Sequence, residues 1–250
     1  MPKRIRFIPN SSYASNNILP PIPAKQAVPE WYRAGEMAIS ELTGKAAKSS
    51  DKNISGGMKS CIPFLDAIIS GYFICSWEDY YVKTTDVVEE FYPVSINPYT
   101  DRYERYDSPG PQMIKERTGD IGHTIPRPNG YCENHMVLNG QWGFRLPRGW
   151  SAVMTHPMNR FDLPFITTSG IIDADEWWTA GNIPFFLKKD FEGIIPAGTP
   201  FIQIIPVKRS SWFAYVSELG FARNSYMAEK ARSVPLGWYR ENIWLKKNYE

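Results

Sequence analysis

The chain has 250 residues, of which 43% are hydrophobic, and a formal net charge of +2. That length and apolar content support one large domain or a domain with extensions, and exclude wholesale disorder. So small a charge on so long a chain gives no broad electrostatic field, so composition carries no strong nucleic-acid signal.

Nine Trp, 14 Tyr and 21 Pro suit short strands, frequent turns and contact surfaces that bury rings while keeping a polar atom. Cys61, Cys75 and Cys132 are widely spaced and form no CxxC pair, which argues against a disulfide framework and a structural zinc. The opening MPKRIRFIPNSS has no apolar centre, so it is not expected to be a signal peptide. No apolar run approaches the ~18 residues of a membrane span. The expected partners therefore include no membrane.

In chain order, KRIRFI (3–8) alternates charged and apolar residues and reads as a strand. Pro20, Pro21, Pro23 and Pro29 then exclude a regular helix and predict an extended arm. Residues 30–42 have helical character weakened by Gly35, and 44–57 read as a polar loop. Pro63 opens a short helix closed by Gly71. YFICSW, YYVKTTDVV and EEFYPVSI are strands, and 97–130 reads as loop. MVLNGQWGFRLP predicts a hairpin turning at Asn139-Gly140 in a type I′ turn. WSAVMTH, PFITTSGII, NIPFFLKK and IPAGTPFIQIIPVKR are the densest strand pattern, and imply a sandwich or barrel. Residues 224–233 and 237–250 read as helices.

Three motifs within 147–208 resemble the core of the dUTPase and dCTP-deaminase superfamily. Pro147-Arg148-Gly149-Trp150 is similar to the turn before that family's phosphate-binding motif. Gly170-Ile171-Ile172-Asp173, with Asp175 and Trp177, resembles the segment holding its catalytic aspartate. Pro196-Ala197-Gly198 leading into Phe201-Ile202-Gln203-Ile204 resembles the turn and strand carrying its Ala-Gln pair. The whole chain also resembles an uncharacterised family of tailed-phage proteins.

The resemblance and the strand pattern imply a mainly β, dUTPase-like barrel or sandwich, to which the prolines add an N-terminal extended arm and the last segments a helical C-terminal tail. The expected division is 1–59, 60–209 and 210–250. The resemblance also implies a homo-oligomer, commonly a trimer. In an enzyme of this type Asp173 would be the catalytic base. Asn159, Arg160, Trp177 and Gln203 would bind substrate, and Asp173 with Asp175 would hold Mg²⁺. The residues themselves allow this: a carboxylate ending an apolar strand can activate water, and a nearby indole can stack on a base. They also allow Asp173 to be a turn cap, which is the reading that spacing alone favours.

Departures from the family pattern are specific. Thr155-His156-Pro157-Met158-Asn159-Arg160 stands where the family has Arg-Ser-Gly. Pro200-Phe201 replaces an arginine, and Ile202 replaces the alanine. No glycine-rich motif follows, so the cations and N–H donors a phosphate needs are depleted.

His123, His135 and His156 are the only histidines, and no spacing among them marks a metal site. Cys132 and His135, three apart on an extended chain, face opposite ways and do not suit a cysteine hydrolase. The leading expectation is a phage structural protein of the virion head, neck or tail junction, working through other virion proteins without a cofactor. The second is a nucleotide pyrophosphatase or deaminase acting on dUTP, dCTP or a modified deoxynucleotide with Mg²⁺. The third is a module that binds a nucleotide signal. The expected setting is the virion or the host cytoplasm.

Overall fold

The computed structural model describes residues 3–116, 125–179, 181–233 and 237–250. With 34% strand against 19% helix, the protein is mainly β, built from several antiparallel sheets. The first elements are β1 (Arg6–Pro9), α1 (Ser12–Asn17), β2 (Ile22–Pro23), α2 (Glu30–Ala34), β3 (Ala38–Ser40), β4 (Ile54–Gly56) and α3 (Ile62–Ile69). Next come β5 (Tyr72–Cys75), β6 (Asp79–Thr84), β7 (Val88–Asn97), β8 (Arg102–Arg105), β9 (Ile114–Glu116), β10 (Met136–Asn139) and β11 (Trp142–Arg145). The last are β12 (Trp150–Thr155), β13 (Phe165–Thr167), β14 (Gly170–Ile172), β15 (Asn182–Leu187), β16 (Glu192–Ile195), β17 (Pro200–Lys208), α4 (Phe221–Ser233) and α5 (Trp238–Asn242).

The chain groups into two compact units, one of residues 1–22 and 71–209, the other of 23–70 and 210–250. In the first unit β14, β12, β17 and β5 lie side by side, as do β13, β15, β10 and β9, and β16, β6, β7 and β8. β1 pairs with β11 as a separate ribbon. The strands form because apolar side chains alternate along them: Tyr80, Val82 and Thr84 of β6 point inward while Asp79, Tyr81 and Lys83 do not. The core centres on three phenylalanines from three strands. Phe165 and Phe201 stack at 4.1 Å, and Phe185 meets both edge-on.

The second unit contains the β3–β4 pair, with Tyr32 stacked on Phe64. Its C-terminal end is tied to α3, where the Asp66 carboxylate accepts from the Trp244 indole N–H and from Lys247.

Several sequence expectations differ from the structure. The strand expected at residues 3–8 forms as β1, but the arm expected after it is not extended throughout, because residues 12–17 form α1. β1 is paired with β11, Asn10 donates to the Gly140 carbonyl, and α1 is capped by the Ser11 hydroxyl. The prolines exclude an α-helix between α1 and α2, but they begin after α1, and Ala24–Ala27 still form a short 3-10 turn. The expected 30–42 helix ends at Gly35, and its second half is strand paired with residues from the expected polar loop. The expected 97–130 loop contains β8 and β9. The expected hairpin does not form. Asn139 and Gly140 are outside the left-handed region a type I′ turn requires, so β10 and β11 diverge into different sheets. Only Trp238–Asn242 of the expected 237–250 helix is helical.

Candidate functional site

The site begins with the register of β12 against β17. Trp150 opposes Lys208, which brings Arg209 beside Gly149, and the Arg209 N–H donates to the Gly149 carbonyl at 2.9 Å. β14 pairs with the other side of β12, so the turn after Ile172 delivers Asp173 and Asp175 to the same place. That turn is closed by the Asp173 carbonyl, which accepts from the Glu176 and Trp177 N–H groups.

The side chains then interlock. Ser151 Oγ donates to Asp173 Oδ1 at 2.6 Å, and Arg209 Nη1 stands 3.0 Å from the same oxygen. Arg209 also forks onto Asp175, with Nη1 2.7 Å from Oδ1 and Nη2 on Oδ2. The Gly149 N–H donates to Asp175 Oδ2 at 2.8 Å. A planar guanidinium suits this two-point contact, which a lysine would not reproduce.

The two carboxylates differ in exposure. The Asp175 side chain is 3% exposed and that of Asp173 62%. Arg209 first, and the Gly149 N–H second, pull Asp175 down to about 2. The Ser151 hydroxyl and then Arg209 hold Asp173 below the ordinary carboxylate range. A carboxylate so stabilised as an anion is a weak proton acceptor, so the geometry opposes a general-base role for Asp173. Mg²⁺ does not fit between the pair either. Arg209 already supplies the cation, and both Asp175 oxygens are engaged. Among the described residues no three His, Cys, Asp or Glu side chains gather as a metal site.

The other residues expected to bind substrate lie at the opposite end of β12. Gln203 opposes Thr155, whereas Ser151 opposes Val207. Four residues of strand separate the two ends by about 13 Å. Gln203 is fully buried, and its Oε1 accepts from the Met158 N–H at 2.7 Å. Arg160 Nε and Nη2 each lie 2.9 Å from the Asp162 carboxylate. Asn159 holds a left-handed turn with φ of 62°. Trp177 stays with Asp173, its ring exposed. Within one chain, therefore, Asp173, Asp175 and Trp177 are together, and Asn159, Arg160 and Gln203 are together elsewhere.

His156 is structural. Its Nδ1 accepts from the Thr167 N–H at 3.3 Å, which leaves Nε2 to donate to the Arg160 carbonyl at 3.2 Å. Burial pushes its pKa down and favours this neutral form. His135 is buried against the Phe186 ring, and His123 lies outside the described residues. The Cys132 thiol is buried and faces the Thr85 and Lys188 carbonyls, and burial pushes its pKa up.

Arg209 and Ser151 are the members of this cluster that the sequence did not single out. Their signal is strand register, not local spacing, since Arg209 lies 34 residues beyond Asp175. No protein-family model matches the chain, and no curated protein sequence matches it.

Proposed function

We propose that this protein works by assembly and not by catalysis. On this reading it is a homo-oligomeric structural protein of a phage particle, at the head, neck or tail junction, built on a dUTPase-like β unit. The single observation that carries the reading is the segment after β17. Residues 210–219 adopt neither helix nor strand, and Trp212, Phe213, Tyr215, Val216, Leu219 and Phe221 are all exposed, Trp212 by 91% and Phe213 by 89%. A contiguous apolar run so open to water marks a protein interface.

Its occupant is a second copy of the chain. Each of the four rings buries at least ~150 Å² when covered. Together they bring at least roughly 600 Å², near the ~800 Å² per partner of a stable interface. The resemblance to a fold whose members commonly form trimers supports the same choice. The arginine-clasped aspartates favour assembly over hydrolysis, because the carboxylate best placed for chemistry is held as a weak base. Among the described residues no helix is long and apolar enough to cross a membrane.

The particle assignment rests on the resemblance and is tested by peptide mass spectrometry of purified virions. Peptides of this chain at a fixed copy number support it, and absence from intact particles overturns it. Turnover of dUTP or dCTP with Mg²⁺, abolished by Asp173→Asn, would instead establish the nucleotide hydrolase.

A further inference from the structure

The β1–β11 ribbon places two like charges in direct opposition. Arg6 and Arg145 are Cα partners in an antiparallel pair, and both are exposed. Like charges so placed destabilise a sheet unless something offsets them. Arg4 joins them around a hollow of about 380 Å³, floored by Ile5, Leu146 and Pro147. Exposed Arg148 follows directly in the chain, and the Lys3 ammonium sits 4.1 Å above the Trp150 ring.

Among the described residues no ion pair links Lys3, Arg4, Arg6, Arg145 or Arg148 to a carboxylate. The adjoining turn is fastened to the ribbon through Leu146 N–H to the Ala174 carbonyl and Phe144 N–H to the Trp178 carbonyl, both 3.0 Å. Its Asp173 and Asp175 are already taken by Arg209, and Glu176 is the remaining carboxylate there. The same turn adds indoles. Arg145 lies 4.2 Å over the Trp178 ring, and the neighbouring Trp177 is 62% exposed.

We infer that this face binds single-stranded nucleic acid, with Arg4, Arg6 and Arg145 taking backbone phosphates and Trp177 stacking on a base. Arginine forks match phosphate oxygens. Cations interleaved with exposed rings are the combination that holds an unpaired strand, because every base has a face to stack. An acidic protein segment would satisfy the arginines and leave the indole without a role. The chain's net charge hides the patch, since its cations come from two short stretches, 3–6 and 145–148.

The test is fluorescence anisotropy of a labelled thymidine 20-mer with the full chain, from 50 to 200 mM salt. Saturable binding that weakens with salt is expected, because each released phosphate counterion contributes a log–log slope of about −0.7. The Arg4→Ser/Arg6→Ser/Arg145→Ser variant should lose at least tenfold in affinity and flatten the slope. It should keep or raise the Tm, since removing the opposed charges relieves repulsion. Trp177→Ala should weaken binding about fivefold or more with the slope unchanged. Four results would each overturn the inference: no saturable binding at 50 mM salt; equal affinity in the triple variant; full competition by polyglutamate of matched charge, which assigns the face to an acidic protein; or full competition by dTTP at matched phosphate concentration, which assigns it to free nucleotide.

Discussion

Arg209 Nη1 lies 2.7 Å from Asp175 Oδ1, and that carboxylate is sealed under the turn that also carries Asp173. The contact joins the end of β17 to the turn after β14, two elements that flank β12 on opposite sides. Removing either partner strands the other, and a buried charge without its partner is costly. Arg209→Met should therefore lower the Tm more than Asp173→Asn does. Arg209→Met with Asp175→Asn should recover part of that loss. A double-mutant thermal cycle reads this coupling, and simple additivity would show that the clasp is not a clasp.

Acid should weaken the fold in two stages. His156 is neutral and its folded pKa lies below the unfolded value of ~6.5, so the unfolded chain gains a proton first. Stability is thus present above about pH 6.5 and declines as pH falls below it. Asp175, at about 2 in the fold, adds stability that is whole above the unfolded carboxylate pKa of ~3.9 and is lost as pH falls toward 2. Circular dichroism melts across pH 7.5 to 2 should show both declines. His156→Gln should remove the upper one and Asp175→Asn should shrink the lower one.

Two glycines near the clasp differ in what an added methyl would meet. A Cβ on Gly143 would stand 2.0 Å from the Trp178 carbonyl oxygen, whereas one on Gly149 meets nothing within 4 Å. Gly149 does hold φ at 80°, a conformation that costs an alanine ~1–2 kcal/mol. Gly143→Ala must push the 173–178 turn off the ribbon and should cost ~1–3 kcal/mol or more. Chemical denaturation measures both. Only Gly143→Ala should also change the intrinsic fluorescence, through displaced Trp178.

Phe201→Ala removes the ring stacked on Phe165 at the centre of the core. It should cost ~3–5 kcal/mol. Urea unfolding checks this, and a cost under ~1 kcal/mol would mean the three-phenylalanine centre is not where the unit is held.

Cysteine reactivity should follow burial. Cys61 is exposed, Cys132 is buried, and burial pushes the Cys75 thiol up to about 12. The thiolate is the reactive form, so native alkylation at pH 8 should label Cys61 first. Rapid labelling of Cys75 or Cys132 would contradict the packing around β5 and β15.

Much of the strand pattern was legible because alternation is local. β5, β6, β7, β12 and β17 follow directly from apolar periodicity, and the short α3 from Pro63 and Gly71. Partner choice was not legible. Asn139-Gly140 has the composition of a hairpin turn, yet β10 pairs with β15 and β11 with β1, because tertiary packing outweighed turn preference. The candidate site divides in the same way. Asp173 and Asp175 stood out by motif, but their meaning depended on Arg209, which only the register of β12 with β17 brings near. The opposed pair Arg6 and Arg145 was invisible for the same reason, since they are 139 positions apart and meet only through strand pairing.

Assembly through residues 210–221 is tested most directly by the solution mass of the full chain, measured by light scattering on a sizing column. The predicted result is an oligomer for the native protein and a monomer for Trp212→Ser/Phe213→Ser/Val216→Ser, with unchanged circular dichroism. A native chain that elutes as a 28.7 kDa monomer at all concentrations would contradict assembly through residues 210–221.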